Sequence, residues 1–163
     1  MICGDALHLS SILEKEVDSD IIRDPETFRV TCMVSNTLGI LPEAIRGLAL
    51  KELLATAGPG GRSIIICYHQ KFLRTGYEQF YSKQPQLCGE CTEADFDYKT
   101  GNFKSSTTDY TSHWFSQEEL TDMIRANSPF AEDKVALSFK FVGVGIFAIC
   151  DIAADAVVQR THS

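Results

Sequence analysis

The chain has 163 residues, with 22 Asp and Glu against 15 Lys and Arg, for a formal charge of -7. This length supports a globular domain built on one hydrophobic core and argues against two independent domains. The acidic balance, with no cluster of Lys and Arg, excludes a partner gripped through nucleic-acid phosphates. The absence of a basic-then-apolar leader and of any apolar run near the roughly 20 residues that span a bilayer leads to the expectation of a soluble, cytoplasmic protein.

In chain order, the segment Gly4-Asp5-Ala6-Leu7 precedes Leu9, Ile12 and Leu13 at helical spacing, and the acidic Glu14, Glu16, Asp18 and Asp20 follow. This pattern predicts a short helix running into a solvated loop. Residues 28–34 are apolar and β-rich except at Arg29 and Thr31, which predicts a strand covered on both faces, as in a parallel sheet. Ser35-Asn36-Thr37-Leu38-Gly39 interrupts the run. Pro42 and Glu43 suit a first helical turn, and Ile45, Leu48, Ala49, Leu53 and Ala57 recur at helical spacing until Gly58-Pro59-Gly60-Gly61 ends the helix. Residues 63–68 form the next strand. Residues 29–68 are thus one strand, loop, helix, turn and strand unit, a right-handed parallel crossover.

Residues 71–84 carry Phe72, Tyr77, Phe80 and Tyr81 on a predicted helix with an aromatic face. Tyr98-Lys99-Thr100-Gly101-Asn102 resembles a hairpin turn between Phe96 and Phe103. Ser116-Gln117-Glu118-Glu119 has the pattern of a capping box, with the Ser116 hydroxyl and Glu119 carboxylate both taking backbone N–H groups ahead of a second amphipathic helix. Two β-rich runs, residues 135–141 and 144–152, close the chain, with Gly143 and Gly145 marking a bend or bulge.

Cys32, Cys67 and Cys150, three of six cysteines, fall in apolar strand-like runs and read as reduced, small core residues. Cys88-Gly89-Glu90-Cys91 is the one close pair. A structural zinc site needs two more ligands, which no further Cys pair or paired His supplies, so an ordinary loop and no metal are expected. A thiol redox protein built on this pair is a competing reading.

Ligands of open parallel sheets bind beyond the carboxyl ends of the strands, which points to Ser35-Asn36-Thr37 and to Tyr68-His69-Gln70. Capping and turn formation account for Ser35 to Thr37 equally well. No nucleophile elbow, phosphate loop, HExxH or helix-initiating GxGxxG is present. His69 and His113 sit near loop ends, where a solvated histidine is commoner than a general base. Tyr110, His113, Trp114 and Phe115 form an aromatic run that more often packs a helix than faces a substrate.

The order of these elements resembles the class I S-adenosylmethionine-dependent methyltransferases. The resemblance rests on Gly4-Asp5-Ala6, the strand ending in Ser35-Asn36-Thr37-Leu38-Gly39-Ile40-Leu41, the helix, Gly60-Gly61 and the strand at 63–68. It continues in Tyr110-Thr111-Ser112-His113-Trp114-Phe115-Ser116-Gln117-Glu118-Glu119-Leu120, which is similar to the approach to that family's last helix.

The resemblance implies an α/β fold, a partial Rossmann-like sheet, mostly parallel with a C-terminal antiparallel strand pair. It implies S-adenosylmethionine as cofactor and methyl transfer to a small molecule. Gly4, Asp5 and Ala6 would hold the adenine, with Ser35 and Asn36 near the sulfonium. Thr37, Tyr68, His69, Tyr110 and Trp114 would meet the substrate. Positioning and exclusion of water supply much of the rate in such a transfer, so the resemblance names no catalytic base.

The family's first strand and glycine loop have no counterpart, so residues 1–163 are expected to be a single, N-terminally truncated methyltransferase-like domain, either the C-terminal fragment of a longer enzyme or a shortened relative that needs a partner. The strand at 29–34 would then have an unpaired edge. A competing reading follows: a non-catalytic remnant that forms a homodimer or binds a partner through that edge.

Overall fold

The computed structural model of the protein describes residues 5–17 and 27–159. Asp5 caps a 3₁₀ turn at Ala6–His8 by accepting the Leu7 N–H, and helix α1 follows at Leu9–Glu16. Strand β1 (Val30–Met33), the single-turn helix α2 (Thr37–Ile40), helix α3 (Glu43–Ala57) and strand β2 (Arg62–Tyr68) form the expected crossover. β1 and β2 pair in parallel, with Val30 opposite Arg62 and Met33 opposite Ile65. The Thr31 and Ser63 hydroxyls lie 2.8 Å apart, and both reach the Leu53 carbonyl, which ties α3 to the strands.

Strands β6 (Val135–Val142) and β7 (Gly145–Ile152) form a hairpin, and β7 inserts antiparallel beside β2. The sheet order is β1-β2-β7-β6. Among the described residues the sheet is therefore mixed, one parallel pair and two antiparallel, rather than mostly parallel. The β6–β7 hairpin is the expected C-terminal antiparallel pair, closed by a two-residue turn that Gly143 opens at φ +57; the departure is that β7 also runs antiparallel to β2.

Only one sheet face is fully closed. Ser63, Ile65 and Cys67 on β2 pair with Cys150, Ala148 and Ile146 on β7, and all six are buried. They meet Leu50, Leu53 and Leu54 of α3 and Leu120 and Ile124 of helix α6 (Gln117–Asn127). The alternate residues Ile64, Ile66, Phe147 and Ile149 are half-buried. Strand β1 is an edge, with no partner on its other side among the described residues, and Phe28, Val30 and Val34 are 61%, 50% and 48% exposed. The expectation of a strand covered on both faces fails because α3 and α6 pack on the same side. Cys32 is exposed for the same reason, whereas Cys67 and Cys150 are core residues.

The aromatic segment does not form one helix. It breaks into a 3₁₀ turn at Gln70–Phe72, helix α4 (Leu73–Gln79), a 3₁₀ turn at Tyr81–Lys83 and the short helix α5 (Pro85–Cys88). Gly76 lets α4 approach closely, since a Cβ there would collide with the Trp114 ring. Beside it stands a three-stranded antiparallel sheet of β3 (Phe96–Asp97), β4 (Asn102–Lys104) and β5 (Thr111–His113), joined by the predicted hairpin. Phe96 stacks on Phe103 with centroids 4.4 Å apart.

The buried apolar side chains thus form two clusters instead of the single core expected from length, the second being mainly aromatic. Alternation along the chain makes the seam: Cys67 and Phe115 enter the first cluster, while their neighbours Tyr68 and Trp114 enter or border the second. Phe115 donates its N–H to the Tyr68 carbonyl at 2.9 Å and accepts from Gln70 N–H at 2.9 Å, joining the two layers.

Burial also separates two leucines that share α3. Leu54 is fully buried and Leu48 is 47% exposed. Leu54→Ala is expected to lower the urea-unfolding free energy by about 2–5 kcal/mol. Leu48→Ala should stay within roughly 0.5 kcal/mol of the parent. Equal effects would show that the sheet-facing side of α3 has been misassigned.

Candidate functional site

The parallel pairing of β1 and β2 brings their carboxyl ends side by side, and a cleft of ≈ 280 Å³ opens there. Its lining is Ser35, Asn36, Ile40, Tyr68, Phe80, Tyr81, Gln84, Leu87 and Tyr110. None of these nine is an acid, a histidine, a lysine or an arginine.

The turn after β1 has an unusual backbone. Ser35 and Asn36 both adopt left-handed φ values, 55° and 59°. Two consecutive non-glycine residues in this region cost on the order of 1–2 kcal/mol each, asparagine being the more tolerant. Asn36 offsets the strain from a buried position, 3% exposed. Its Nδ2 donates to Ser112 Oγ and to the His113 carbonyl, both at 3.1 Å, and its Oδ1 accepts the Tyr68 N–H at 3.0 Å. Its own N–H donates to the Ile66 carbonyl at 3.1 Å. Gly39 follows as a requirement of this packing, because a Cβ there would collide with the His113 carbonyl oxygen and the Asn36 amide.

The floor of the cleft continues this network. Trp114 Nε1 donates to the Tyr81 hydroxyl at 3.0 Å, and Tyr81 donates to Ser112 Oγ at 3.0 Å. Burial pushes the Tyr81 hydroxyl pKa up to about 12, and burial raises that of Tyr110 as well. Both phenols are therefore neutral at physiological pH. Tyr68 lies nearly parallel to Phe80, 9° apart with centroids at 6.3 Å, and tilts against Trp114 at 4.7 Å.

The structure brings four of the ten residues expected from the sequence into this cleft: Ser35, Asn36, Tyr68 and Tyr110. Thr37 turns its hydroxyl back to the Val34 carbonyl at 2.6 Å. Trp114 is fully buried behind the wall. His69 lines a different, larger depression of ≈ 550 Å³ with Gln70, Lys71, Arg74 and Tyr98. Asp5 caps its own turn and lines neither cavity. Gly4 lies outside the described residues.

The sequence reading missed Ile40, Phe80, Tyr81, Gln84 and Leu87. Phe80 and Tyr81 were visible as part of an aromatic face. The break after Gln79 is what aims Phe80 outward, 37% exposed, and Tyr81 inward. Ile40, Gln84 and Leu87 carried no local signal.

His113 is not a solvated loop histidine. It is 5% exposed, with Nδ1 at 2.8 Å from Asn102 Oδ1 and Nε2 at 2.7 Å from Glu119 Oε1. The expected capping box is accordingly half-formed: Ser116 Oγ accepts the Glu119 N–H at 3.0 Å, while the Glu119 carboxylate turns to His113. Among the described residues no three His, Cys, Asp or Glu side chains gather as a metal site requires, and no helix is long and apolar enough to cross a membrane. Cys88 is buried, its thiol directed at the Tyr81 and Gln84 carbonyls at 3.6 and 3.5 Å.

No protein-family model and no curated protein sequence matches the chain. Among solved structures it is similar to an O-methyltransferase family protein from Burkholderia thailandensis, with TM-score 0.46 and 11% identity, covering 90% of this chain and 40% of that one. It is similar to a SAM-dependent methyltransferase from Methanosarcina mazei, with TM-score 0.42 and 16% identity, covering 78% and 59%. A third is human N-acetylserotonin methyltransferase in complex with SAM, with TM-score 0.44 and 10% identity, covering 88% and 37%. The chain spans 37% to 59% of the length of these three proteins.

Replacing Asn36 by Ala leaves the Tyr68 N–H and the His113 carbonyl without their side-chain partner. Asn36→Ala is expected to cost on the order of 2–3 kcal/mol in urea unfolding and to remove the exchange protection of the Tyr68 amide. Unchanged protection would show that the pin does not hold β2.

His69 gives a second test. Burial lowers its pKa, Lys71 adds to the lowering and Glu118 opposes it, so the neutral ring is the folded form. With a folded pKa below the unfolded value of about 6.5, its contribution is present above that pH and is lost as pH falls through the lowered folded value. Protonation removes the Nδ1 acceptor of the Lys71 N–H, 3.3 Å away. The Lys71 amide resonance is expected to shift on acidification with a midpoint below that of free histidine, and a midpoint above it would contradict the burial.

Proposed function

We propose that the chain is the acceptor-binding part of an S-adenosylmethionine-dependent methyltransferase acting on a small molecule. The observation that carries the reading is the cleft where the turn after β1 meets the end of β2, at the positions that the sequence resemblance assigns to the methyl-transfer edge. Its volume, ≈ 280 Å³, lies just below the roughly 300–1,000 Å³ of small-molecule sites, which suits a small acceptor alone.

The residues matched to the cofactor do not form a cradle by themselves. Asp5 spends its carboxylate on a cap, and Asn36 spends its amide on Tyr68, Ser112 and His113. Among the described residues, Ser35 is the one side chain matched to the cofactor that both lines the cleft and has a hydroxyl with no hydrogen-bond partner. No step of transfer is derived through the cofactor. What these residues supply is orientation: a rigid turn, a neutral aromatic wall and a surface from which an acceptor displaces water.

A second reading is favoured by the open edge of β1 with its exposed Phe28, Val30 and Val34: pairing with another copy of the chain or with a partner strand.

One sample separates the two. Isothermal titration of the folded chain with S-adenosylmethionine is expected to give weak but saturable one-to-one binding, with Ser35 as the matched side chain left to contact it. A folded sample that releases no binding heat, and that sediments as a dimer, overturns the methyltransferase reading in favour of edge pairing.

A further inference from the structure

Resting on the reading of the cleft as an acceptor site, we infer that its ligand is an uncharged, planar aromatic molecule of one or two fused rings carrying a hydroxyl or amide group. The cleft offers a charged ligand no counter-charge: none of its nine lining residues is an Asp, Glu, Lys, Arg or His. Stripping water from a carboxylate or phosphate here would go uncompensated, and the chain's charge of -7 adds long-range repulsion of anions.

The polar capacity of the cleft is also small. Asn36 and Tyr81 direct their side-chain groups into the protein network. Among the described residues the Ser35 and Tyr68 hydroxyls and the Gln84 side-chain amide, all on lining residues, have no intramolecular hydrogen-bond partner, enough for two or three neutral hydrogen bonds.

Shape points the same way. Tyr68 and Phe80 present near-parallel rings, 9° apart, which favour a flat partner. Leu87, Ile40 and Phe80 remain 58%, 45% and 37% exposed at the rim, apolar surface that such a ligand removes from water.

Three probes that share one ring system test the inference by calorimetry at neutral pH: 2-naphthol, 2-naphthoate and 2-naphthyltrimethylammonium. 2-Naphthol is expected to bind at least roughly tenfold more tightly than either charged probe. Tyr110→Ala should weaken it by about the same factor. Leu87→Lys alters an exposed rim position without touching the core, and should narrow the naphthol-to-naphthoate ratio. Lys71→Ala, in the neighbouring depression, should change nothing.

Equal or tighter binding of naphthoate or of the ammonium probe overturns the inference. So does failure of all three probes to bind, or naphthol binding indifferent to both Tyr110→Ala and Leu87→Lys. None of these titrations contains the methyl donor. Naphthol preference in a sample silent to S-adenosylmethionine leaves the ligand assignment standing and removes the methyltransferase reading, whereas S-adenosylmethionine binding with naphthoate preference does the reverse.

Discussion

Asn36 sits where three parts of the molecule meet, and the arrangement of the cleft depends on its amide. The residue lies in a left-handed turn at the end of β1, accepts from the backbone of β2 and donates to the backbone and side chain of β5. A buried amide with unmet hydrogen bonds is costly, so these three bonds hold the mixed sheet and the small antiparallel sheet in one relative position. The strained backbone of Ser35 and Asn36 persists because the surrounding contacts over-determine it. Gly39 completes the arrangement by leaving room for the amide and the His113 carbonyl.

The two apolar clusters explain why a cleft exists at all. Had Tyr68 and Trp114 entered the same cluster as Cys67 and Phe115, the sheet and the aromatic layer would have merged into one closed core. Instead, strand alternation sends neighbouring residues to opposite sides of a seam, and the aromatic segment breaks at Phe80. The break leaves Phe80 and Leu87 at the rim and Tyr81 in the wall. The site is thus a by-product of imperfect closure between layers, lined by rings of which Tyr81 has its hydroxyl satisfied from behind by Ser112 and Trp114.

Local pattern carried much of the fold. The β1–α3–β2 crossover, the hairpin between Phe96 and Phe103, the helix after Ser116 and the closing strand pair all follow from periodicity, turn residues and caps, which act over a few neighbouring residues. Where sequence reasoning went astray, the competing influence was tertiary. Residues 28–34 look like a strand buried on both sides, yet Val30 and Val34 stay about half exposed because the helices pack on one face only. Glu119 fits a capping box, yet its carboxylate is drawn to His113, six residues away along the chain and beside it in space. Trp114 was a substrate candidate, and instead fills the core against Gly76.

By itself, then, the sequence determined most element types, their order and the two strand ends that flank the cleft, because these depend on interactions between residues close in the chain; the broken aromatic segment at 70–88 is the exception. Tertiary structure alone decided that Ser35, Tyr68 and Tyr110 share one cavity while His69 faces another. It also decided that the cavity is neutral and aromatic. The physical reason is that side-chain direction at a strand end depends on which layer lies on each side, and that follows from long-range packing and from one buried amide satisfied by residues more than 30 positions away in the chain.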